Sequence, residues 1–240
     1  MEWDGKEWEK RIKRVKDSEK KMPKRKVPLI EKETYHIFTK SIAKFKIFIN
    51  NRDYHRMIET ISFYTMKNPP CKFSLFLERK RKPDNHTPDF NASPKIVQVL
   101  AYCLMPTHIH LILHQLIDNG ITEYLNRVLK SYSKYFNVRY NRRGPLWEGR
   151  FKNVLVETEQ QLIHLTRYIH LNPATACLVD TPMEWNYSSY REYMNKIEKK
   201  NKICNFSNFF EVNQSSYKNF VEGRIDYQRE LRLIKDLIIE

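Results

Sequence analysis

Residues 97–115 read VQVLAYCLMPTHIHLILHQ and contain two apolar runs separated by a short turn-forming segment. The runs are Val97–Leu104 and His108–His114, and Met105–Thr107 lies between them. Apolar runs joined by so short a segment are typical of neighbouring strands connected by a tight turn. We therefore predict a pair of strands here.

Outside this pair, strand patterns and helix patterns alternate irregularly. Short apolar and β-branched runs predict strands, and apolar residues at helical spacing predict helices, one of which should stop at Leu171 because Asn172 precedes a proline. The predicted strands are Thr34–Thr39, Phe45–Asn50 and Phe151–Val156, and the predicted helices are Asp53–Met66, Ile121–Tyr140, Glu159–Leu171 and Tyr217–Ile239. Arg79–Pro94, rich in proline and asparagine, predicts a loop. A mixture without a βαβ repeat favours an α+β sandwich over a doubly wound sheet.

The composition is strongly basic. The 240 residues include 43 Lys and Arg against 28 Asp and Glu, which gives a formal net charge of +15. A charge of this size attracts polyanions, so nucleic acid is the expected partner, although a lysine-rich surface also serves solubility. With 41% hydrophobic residues, the chain can also pack a core.

Membrane and secreted classes are not expected. The longest apolar stretches fall short of the roughly 20 residues that cross a bilayer, and the Lys- and Glu-rich segment Met1–Pro28 does not resemble a secretory signal. The four cysteines are far apart in the sequence, which favours neither a zinc ribbon nor a disulfide framework. We expect a cytoplasmic protein.

Histidines alternate with apolar residues on the second strand of the pair. Strand geometry places His108 and His110 on one face, two positions apart, with Ile109 and Leu111 on the other. Two imidazoles that converge on one point are suited to hold a metal ion with positions open to substrate. The alternative is a hydrogen-bonded histidine pair at a sheet surface. His114 lies about 13 Å beyond His110 at strand rise, too far to be a direct ligand.

A second polar group lies on the predicted helix that ends in RYIHLNP. His164, Tyr168 and Asn172 are spaced four residues apart and share one helix face. A hydroxyl and an amide on that face can approach the histidine pair. The ordinary alternative is a half-buried core tyrosine and an asparagine that ends the helix.

Four segments in this order resemble the HUH (His–hydrophobic–His) superfamily of single-tyrosine transposases, in particular the REP-associated branch of its insertion-sequence-200-like group. The segments are MPTHIHLIL at 105–113, GPLWEGRFKNVLVET at 144–158, RYIHLNPATACLV at 167–179 and MEWNYSSYREY at 183–193. The resemblance covers roughly residues 35–223. An ordered set of this kind is more specific than any single motif.

This resemblance implies a ferredoxin-like sandwich with a central antiparallel sheet and helices on one face, occupying residues 29–195. A basic amino-terminal arm at 1–28 and a helical extension at 196–240 would flank this catalytic domain. His108, His110 and Asn172 match metal ligands for Mg²⁺ or Mn²⁺, although imidazoles also accept zinc, and Tyr168 matches the nucleophile. The implied activity is metal-assisted cleavage and rejoining of single-stranded or hairpin DNA through a 5′-phosphotyrosine.

A basic, glycine-containing segment follows the predicted helix Ile121–Tyr140. Cations that follow phosphates and an aromatic ring that stacks on a base are the mixture used to bind single-stranded DNA. The candidate DNA-binding residues are Arg142, Arg143, Trp147, Arg150 and Lys152. In the alternative, Trp147 is a core residue and only the charges contact DNA.

Other functions are also compatible with parts of the sequence. A domesticated relative that binds hairpins without cleaving them would keep the same fold. A replication or mobilisation relaxase shares the chemistry, but the string RYIHLNP disfavours it. A zinc hydrolase would need a third strong ligand. We expect a monomer or a homodimer.

Overall fold

The computed structural model describes residues 28–81 and 93–238, and within these ranges four strands form one sheet accompanied by seven α-helices. The strands are β1 (Thr34–Lys40), β2 (Val97–Met105), β3 (His108–Gln115) and β4 (Lys152–Val156). The helices are α1 (Asn51–Phe63), α2 (Phe73–Arg81), α3 (Gly120–Arg139), α4 (Glu159–Thr175), α5 (Tyr190–Tyr193), α6 (Gln214–Glu222) and α7 (Ile225–Ile238). The expected basic arm lies outside the described residues except for Pro28.

The sheet has the strand order β2-β3-β1-β4, and every neighbouring pair is antiparallel. Apart from the additional helix α2, the chain order β1-α1-β2-β3-α3-β4 is the split βαβ arrangement of ferredoxin-like folds. The predicted α+β fold with a central antiparallel sheet is therefore confirmed. The strand pair predicted within residues 97–115 is β2 and β3, joined by Pro106 and Thr107.

The alternation of side chains along each strand gives the sheet two different faces. One face presents Ile37 and Leu111, which are fully buried in a core shared with α1 and α3. The other face presents His36 and His110, because these residues occupy the intervening positions of β1 and β3. The apolar residues thus anchor the sheet to two helices, while the histidines face away from them.

Helix α4 packs on the second face, in a separate core built with β2 and the chain after residue 182. Ile169 of α4, Cys103 of β2 and Tyr217 of α6 are fully or almost fully buried in this core. Helices therefore cover both faces, which extends the expected arrangement with helices on one face. The part of the second face over β1 and the start of β3 borders an open cleft.

The predicted strand at Phe45–Asn50 is wrong. Ile47 and Phe48 are buried, and Ile47 donates its N–H to the carbonyl of Pro106, but the segment pairs with no strand. Asn50 ends it by capping α1: the Asn50 side chain accepts the N–H of Arg52, and the Asp53 carboxylate accepts that of Asn50. The apolar pattern there reflects burial rather than strand pairing.

Three helix boundaries also differ from the sequence prediction. Helix α4 continues to Thr175, because Pro173 lies in its last turn, where its missing N–H removes only one hydrogen bond. The first residues of the predicted loop Arg79–Pro94 form the end of α2, and residues 82–92 lie outside the described part of the chain. The predicted helix Tyr217–Ile239 is divided at residues 223–224 into α6 and α7.

The four cysteines are free thiols. Within residues 28–81 and 93–238, no helix has the length and apolar character needed to span a membrane.

Candidate active site

His108 and His110 lie on the same face of β3, as the alternation along the strand predicts. Their ring centroids are 5.1 Å apart, and both side chains line a cleft of about 660 Å³ on the second face of the sheet. His110 is buried, and His108 is partly exposed at the start of the strand. The two imidazoles therefore meet at one end of the cleft.

Each of these rings is held through its Nδ1 atom. The Nδ1 of His108 lies 3.0 Å from the hydroxyl of Thr107, and the Nδ1 of His110 lies 3.0 Å from the Nε2 of His36. Within the described ranges, neither His108 Nε2 nor His110 Nε2 makes a hydrogen bond. A metal-binding histidine is ordinarily oriented by a partner on its other nitrogen, and both rings have this arrangement.

The cleft keeps these imidazoles neutral. Burial, with a smaller contribution from the nearby Lys40, lowers the pKa of His108 from 6.5 to about 4. Burial also lowers the pKa of His110, with smaller contributions from His108, His36 and Lys40. At neutral pH both imidazole rings are therefore uncharged, and the uncharged imidazole is the form that ligates metals.

Tyr168 projects from α4 into the same cleft. Its ring centroid lies 5.8 Å from that of His110 and 6.2 Å from that of His36, with the rings edge to face in both pairs. Tyr168 is 47% exposed, so the residue is open to solvent. Partial burial raises the pKa of Tyr168 above 10, and the neighbouring Asn172 opposes this rise. The phenol is protonated at neutral pH.

Asn172 follows Tyr168 by one helical turn on α4. Its Nδ2 atom is buried and makes no hydrogen bond of ordinary geometry with any described residue. The amide nitrogen is a hydrogen-bond donor, so the partner that it lacks is an acceptor, and only the amide oxygen could ligate a cation. The described residues contain no group of three or more His, Cys, Asp and Glu suited to hold a metal ion. Asn172 does not itself line the cleft, so the nitrogen donors that the cleft offers to an ion are the imidazoles of His108 and His110, with water or phosphate oxygens as further ligands.

His164, the third residue of the predicted helix face, points elsewhere. Its Nδ1 lies 2.9 Å from a guanidinium nitrogen of Arg167, and its ring contacts Phe220 of α6. It lies outside the cleft lining. The four-residue spacing thus brings Tyr168 to the histidines but not His164.

The sequence interpretation did not include three residues that line the cleft: His36, Lys40 and Lys44. His36 lies on β1, two positions before Phe38, which pairs with His110. Lys40 pairs with His108 in the same register. Alternation within β1 places His36 and Lys40 on one face, but only the pairing of β1 with β3 brings them to the predicted histidines.

The candidate DNA-binding segment has a mixed outcome in the structure. Trp147 is half-buried and donates its Nε1–H to the carbonyl of Leu129, so its indole packs against the core. Arg142 donates hydrogen bonds to the carbonyls of Gly144 and Pro145 and thereby holds the loop. Arg143, Arg150 and Lys152 are exposed, and Lys152 pairs with Phe38, which lines the cleft.

A known protein family matches the part of the chain that contains these candidate residues. The family model described as "Transposase IS200 like" matches residues 88–172, which include His108, His110, Tyr168 and Asn172. The predicted resemblance to IS200-like transposases is confirmed. A Haemophilus influenzae protein named as a REP-associated tyrosine transposase is 27% identical to this chain over 106 residues. The match covers 39% of this chain and 58% of the length of that relative.

Two solved structures are similar to this chain at low sequence identity. A REP-associated tyrosine transposase bound to a REP hairpin is 14% identical, with a TM-score of 0.48, over 80% of this chain and 99% of that one. A transposase from Deinococcus radiodurans R1 is 12% identical, with a TM-score of 0.33, over 61% of this chain and 95% of that one. Neither likeness carries a conclusion about function.

Proposed function

We propose that this protein is a metal-dependent transposase that cleaves and rejoins single-stranded DNA, with Tyr168 as the nucleophile. One observation carries the proposal. The hydroxyl-bearing ring of Tyr168 is half-exposed and lies beside His110 in a cleft that His108 also lines. A tyrosine next to a pair of neutral imidazoles with free Nε2 atoms is suited to attack a phosphate held by a cation. The resemblance to REP-associated transposases, the name that the Haemophilus influenzae relative bears, favours hairpin-forming sites as the DNA.

The proposed reaction is reversible. The phenol oxygen of Tyr168 forms a bond to the phosphorus, the bond from phosphorus to the 3′-oxygen of the preceding nucleotide breaks, and the phenolic proton is lost while the 3′-oxygen gains one. The product is a 5′-phosphotyrosine and a 3′-hydroxyl. Attack by a second 3′-hydroxyl on that phosphotyrosine rejoins the strand and regenerates the phenol. No external energy source is required, because each step exchanges one phosphodiester for another.

The chain's own residues divide the remaining tasks. His108, His110 and Asn172 would hold Mg²⁺ or Mn²⁺, which supplies charge neutralisation to the phosphate in the transition state. Lys40, at the end of β1 beside His108, adds a fixed positive charge to the cleft. Such charge is needed because burial raises the pKa of Tyr168 and makes its phenol a weak nucleophile at neutral pH.

The test is covalent capture. Wild type is incubated with a panel of single-stranded and hairpin DNAs and Mn²⁺, and peptides are analysed by mass spectrometry. We expect a nucleotide-modified peptide that contains Tyr168 in the wild type and none in Tyr168→Phe. Tyr227→Phe is the matched control, since Tyr227 is 51% exposed on α7, outside the cleft lining. An adduct that persists in Tyr168→Phe would overturn the assignment of the nucleophile.

A hairpin-binding protein without cleavage activity is the second candidate. The raised pKa of Tyr168 favours it, because a phenol that ionises less readily attacks more slowly. The same experiment separates the two functions: hairpin binding with no adduct and no cleavage in the wild type would select the binding protein. In both cases we propose a cytoplasmic monomer or homodimer that acts on DNA through Arg143, Arg150 and Lys152.

A further inference from the structure

A second basic feature lies on the side of the sheet opposite to the cleft. It is a groove of about 870 Å³ bordered by α1, α2 and α3. Its lining contains six cationic side chains and no carboxylate: Arg52, Arg56, Arg127, Lys130, Lys134 and Arg139. Because α1 and α3 cover the face away from His36 and His110, the groove and the cleft share no residue.

Arg56 lines this groove between two aromatic rings. Its guanidinium carbon lies 4.3 Å from the ring centroid of Phe73 and 5.1 Å from that of Tyr135. Its Nε is buried and has no hydrogen-bond partner among the described residues. A guanidinium held between two aromatic rings loses little freedom when it binds an anion. The same stacking covers those two rings, so they offer little surface to a nucleobase.

Three of the other cations are not paired with an acidic side chain among the described residues. Arg127 is paired with Glu123 and bound to the carbonyls of Met66 and Lys67, and Arg139 lies 3.4 Å from Asp53. The side chains of Arg52, Lys130 and Lys134, by contrast, are exposed and form no ion pair in the described part of the chain. Exposed cations collected without acids attract a polyanion rather than a single carboxylate.

We propose that this groove binds the sugar–phosphate backbone of a DNA segment other than the one in the cleft. Arg127, Lys130 and Lys134 recur on one side of α3 over about 10 Å of helix axis. That length corresponds to about three nucleotides of a B-form strand. The inference rests on the proposed function only in taking DNA as the substrate. A hairpin stem or a long flanking strand would occupy the groove while the scissile phosphate lies beside Tyr168.

The test compares two double variants of the full chain, Lys130→Gln/Lys134→Gln in the groove and Lys196→Gln/Lys199→Gln as the control. Both remove two exposed lysines, so their net charges are equal. Fluorescence anisotropy measures binding of a hairpin with long flanks and of a short single strand across a salt series. For the long substrate, we expect the groove variant to lose about 0.7 to 0.9 of the slope of log K against log salt for each lysine removed. The control variant should keep the wild-type slope for both substrates.

The short single strand shows whether the change in salt dependence arises in the groove or in the cleft. It should bind the groove variant as tightly as the wild type and be cleaved at the same rate, because it occupies only the cleft. Equal slopes for the groove and control variants on the long substrate would overturn the inference while leaving cleavage at Tyr168 intact. A wild type that binds neither DNA would instead overturn the proposed function, and the groove inference with it.

Discussion

At the residue scale, the hydrogen bond between His36 and His110 determines which nitrogen of His110 is free. If His110 donates its Nδ1–H to the Nε2 of His36, its own Nε2 carries the lone pair needed to ligate a metal. The opposite direction would place a proton on the His110 Nε2 and block it. His36 is therefore expected to act on the metal through His110 rather than by direct contact.

We predict that His36→Leu weakens Mn²⁺ binding about 10- to 100-fold, as loss of a partner behind a metal ligand ordinarily does. Isothermal titration of the metal into the DNA-free protein measures this without reference to activity. His114→Leu is the matched control: His114 shares the face of β3 but bonds to Thr34 and contacts Phe209, outside the cleft lining. Equal Mn²⁺ affinity in wild type and His36→Leu would refute the assigned role.

Some residues of the candidate site can be predicted from a short stretch of sequence, and others are brought there only by strand pairing. The shared face of His108 and His110 follows from alternation over three residues, and the spacing of Tyr168 and Asn172 follows from one helical turn. His36 is separated from His110 by 74 positions and reaches it through the pairing of β1 with β3. A pattern read along one segment contains no such information, so His36 and Lys40 were not predicted.

At the scale of elements, one buried carboxylate joins the start of α1 to the end of α3. The Asp53 side chain is completely buried and accepts hydrogen bonds from the N–H groups of Ile49 and Asn50. It also accepts bonds from the hydroxyls of Tyr135 and Tyr140 on α3 and at its carboxyl end. Because it caps α1 and accepts hydrogen bonds from Tyr135 and Tyr140, it links the start of α1 to the end of α3.

We predict that Asp53→Ala lowers the free energy of unfolding by about 3 kcal/mol, since it removes a helix cap and leaves two tyrosine hydroxyls without their partner. Tyr140→Phe, which removes one of these hydrogen bonds and keeps the carboxylate, should cost about 1 kcal/mol. Urea unfolding followed by circular dichroism gives both values. Similar losses for the two variants would mean that Asp53 does not link the helices.

The elements themselves were predictable where periodicity was long or alternation clear. Strands β2 and β3 and the 20-residue helix α3 were found from their apolar patterns. The segment Phe45–Asn50 has a similar apolar content, but the capping bonds of Asn50 and Asp53 commit the following residues to α1. Helix α4 continues beyond its predicted end because the carbonyls of Asn172 and Pro173 are bound by the N–H groups that follow. Both differences depend on hydrogen bonds that hydropathy does not register.

At the scale of the whole molecule, the chain after residue 195 is fastened to the helix that carries Tyr168. The Tyr217 hydroxyl of α6 lies 2.8 Å from the Thr166 hydroxyl and 2.8 Å from the Nδ1 of His170, both on α4. The Nε2 of His170 lies 2.8 Å from the hydroxyl of Ser189. His170 is fully buried, and burial lowers its pKa from 6.5 to about 3. It therefore stays neutral in the folded protein.

This burial makes stability dependent on pH. Below about pH 6.5 the unfolded chain binds a proton at His170 and the folded protein does not, so stability falls as pH decreases toward 3, by up to about 1.4 kcal/mol per pH unit. We predict that His170→Gln is less stable than wild type at pH 7 and that the difference shrinks on acidification. Urea unfolding at several pH values measures it.

Tyr217→Phe is the control for this pH effect. It removes a partner hydroxyl but no titrating imidazole, so it should lower stability at every pH and keep the wild-type slope. If the free energy of unfolding of His170→Gln changed with pH as that of the wild type does between pH 7 and pH 4, the prediction would be contradicted.

Tyr168 and Asn172 lie one turn apart on a single helix, about 6 Å along its axis. In the proposed site, the nucleophile Tyr168 and the ligand Asn172 therefore move together when α4 moves. A displacement of α4 that moves the Tyr168 hydroxyl away from a phosphate also moves the Asn172 amide away from the ion. The contact with the phosphate and the affinity for the metal are then lost together. The fraction of protein with bound Mn²⁺, measured from the paramagnetism of the ion, would then report how often α4 occupies the position that brings Tyr168 to the phosphate.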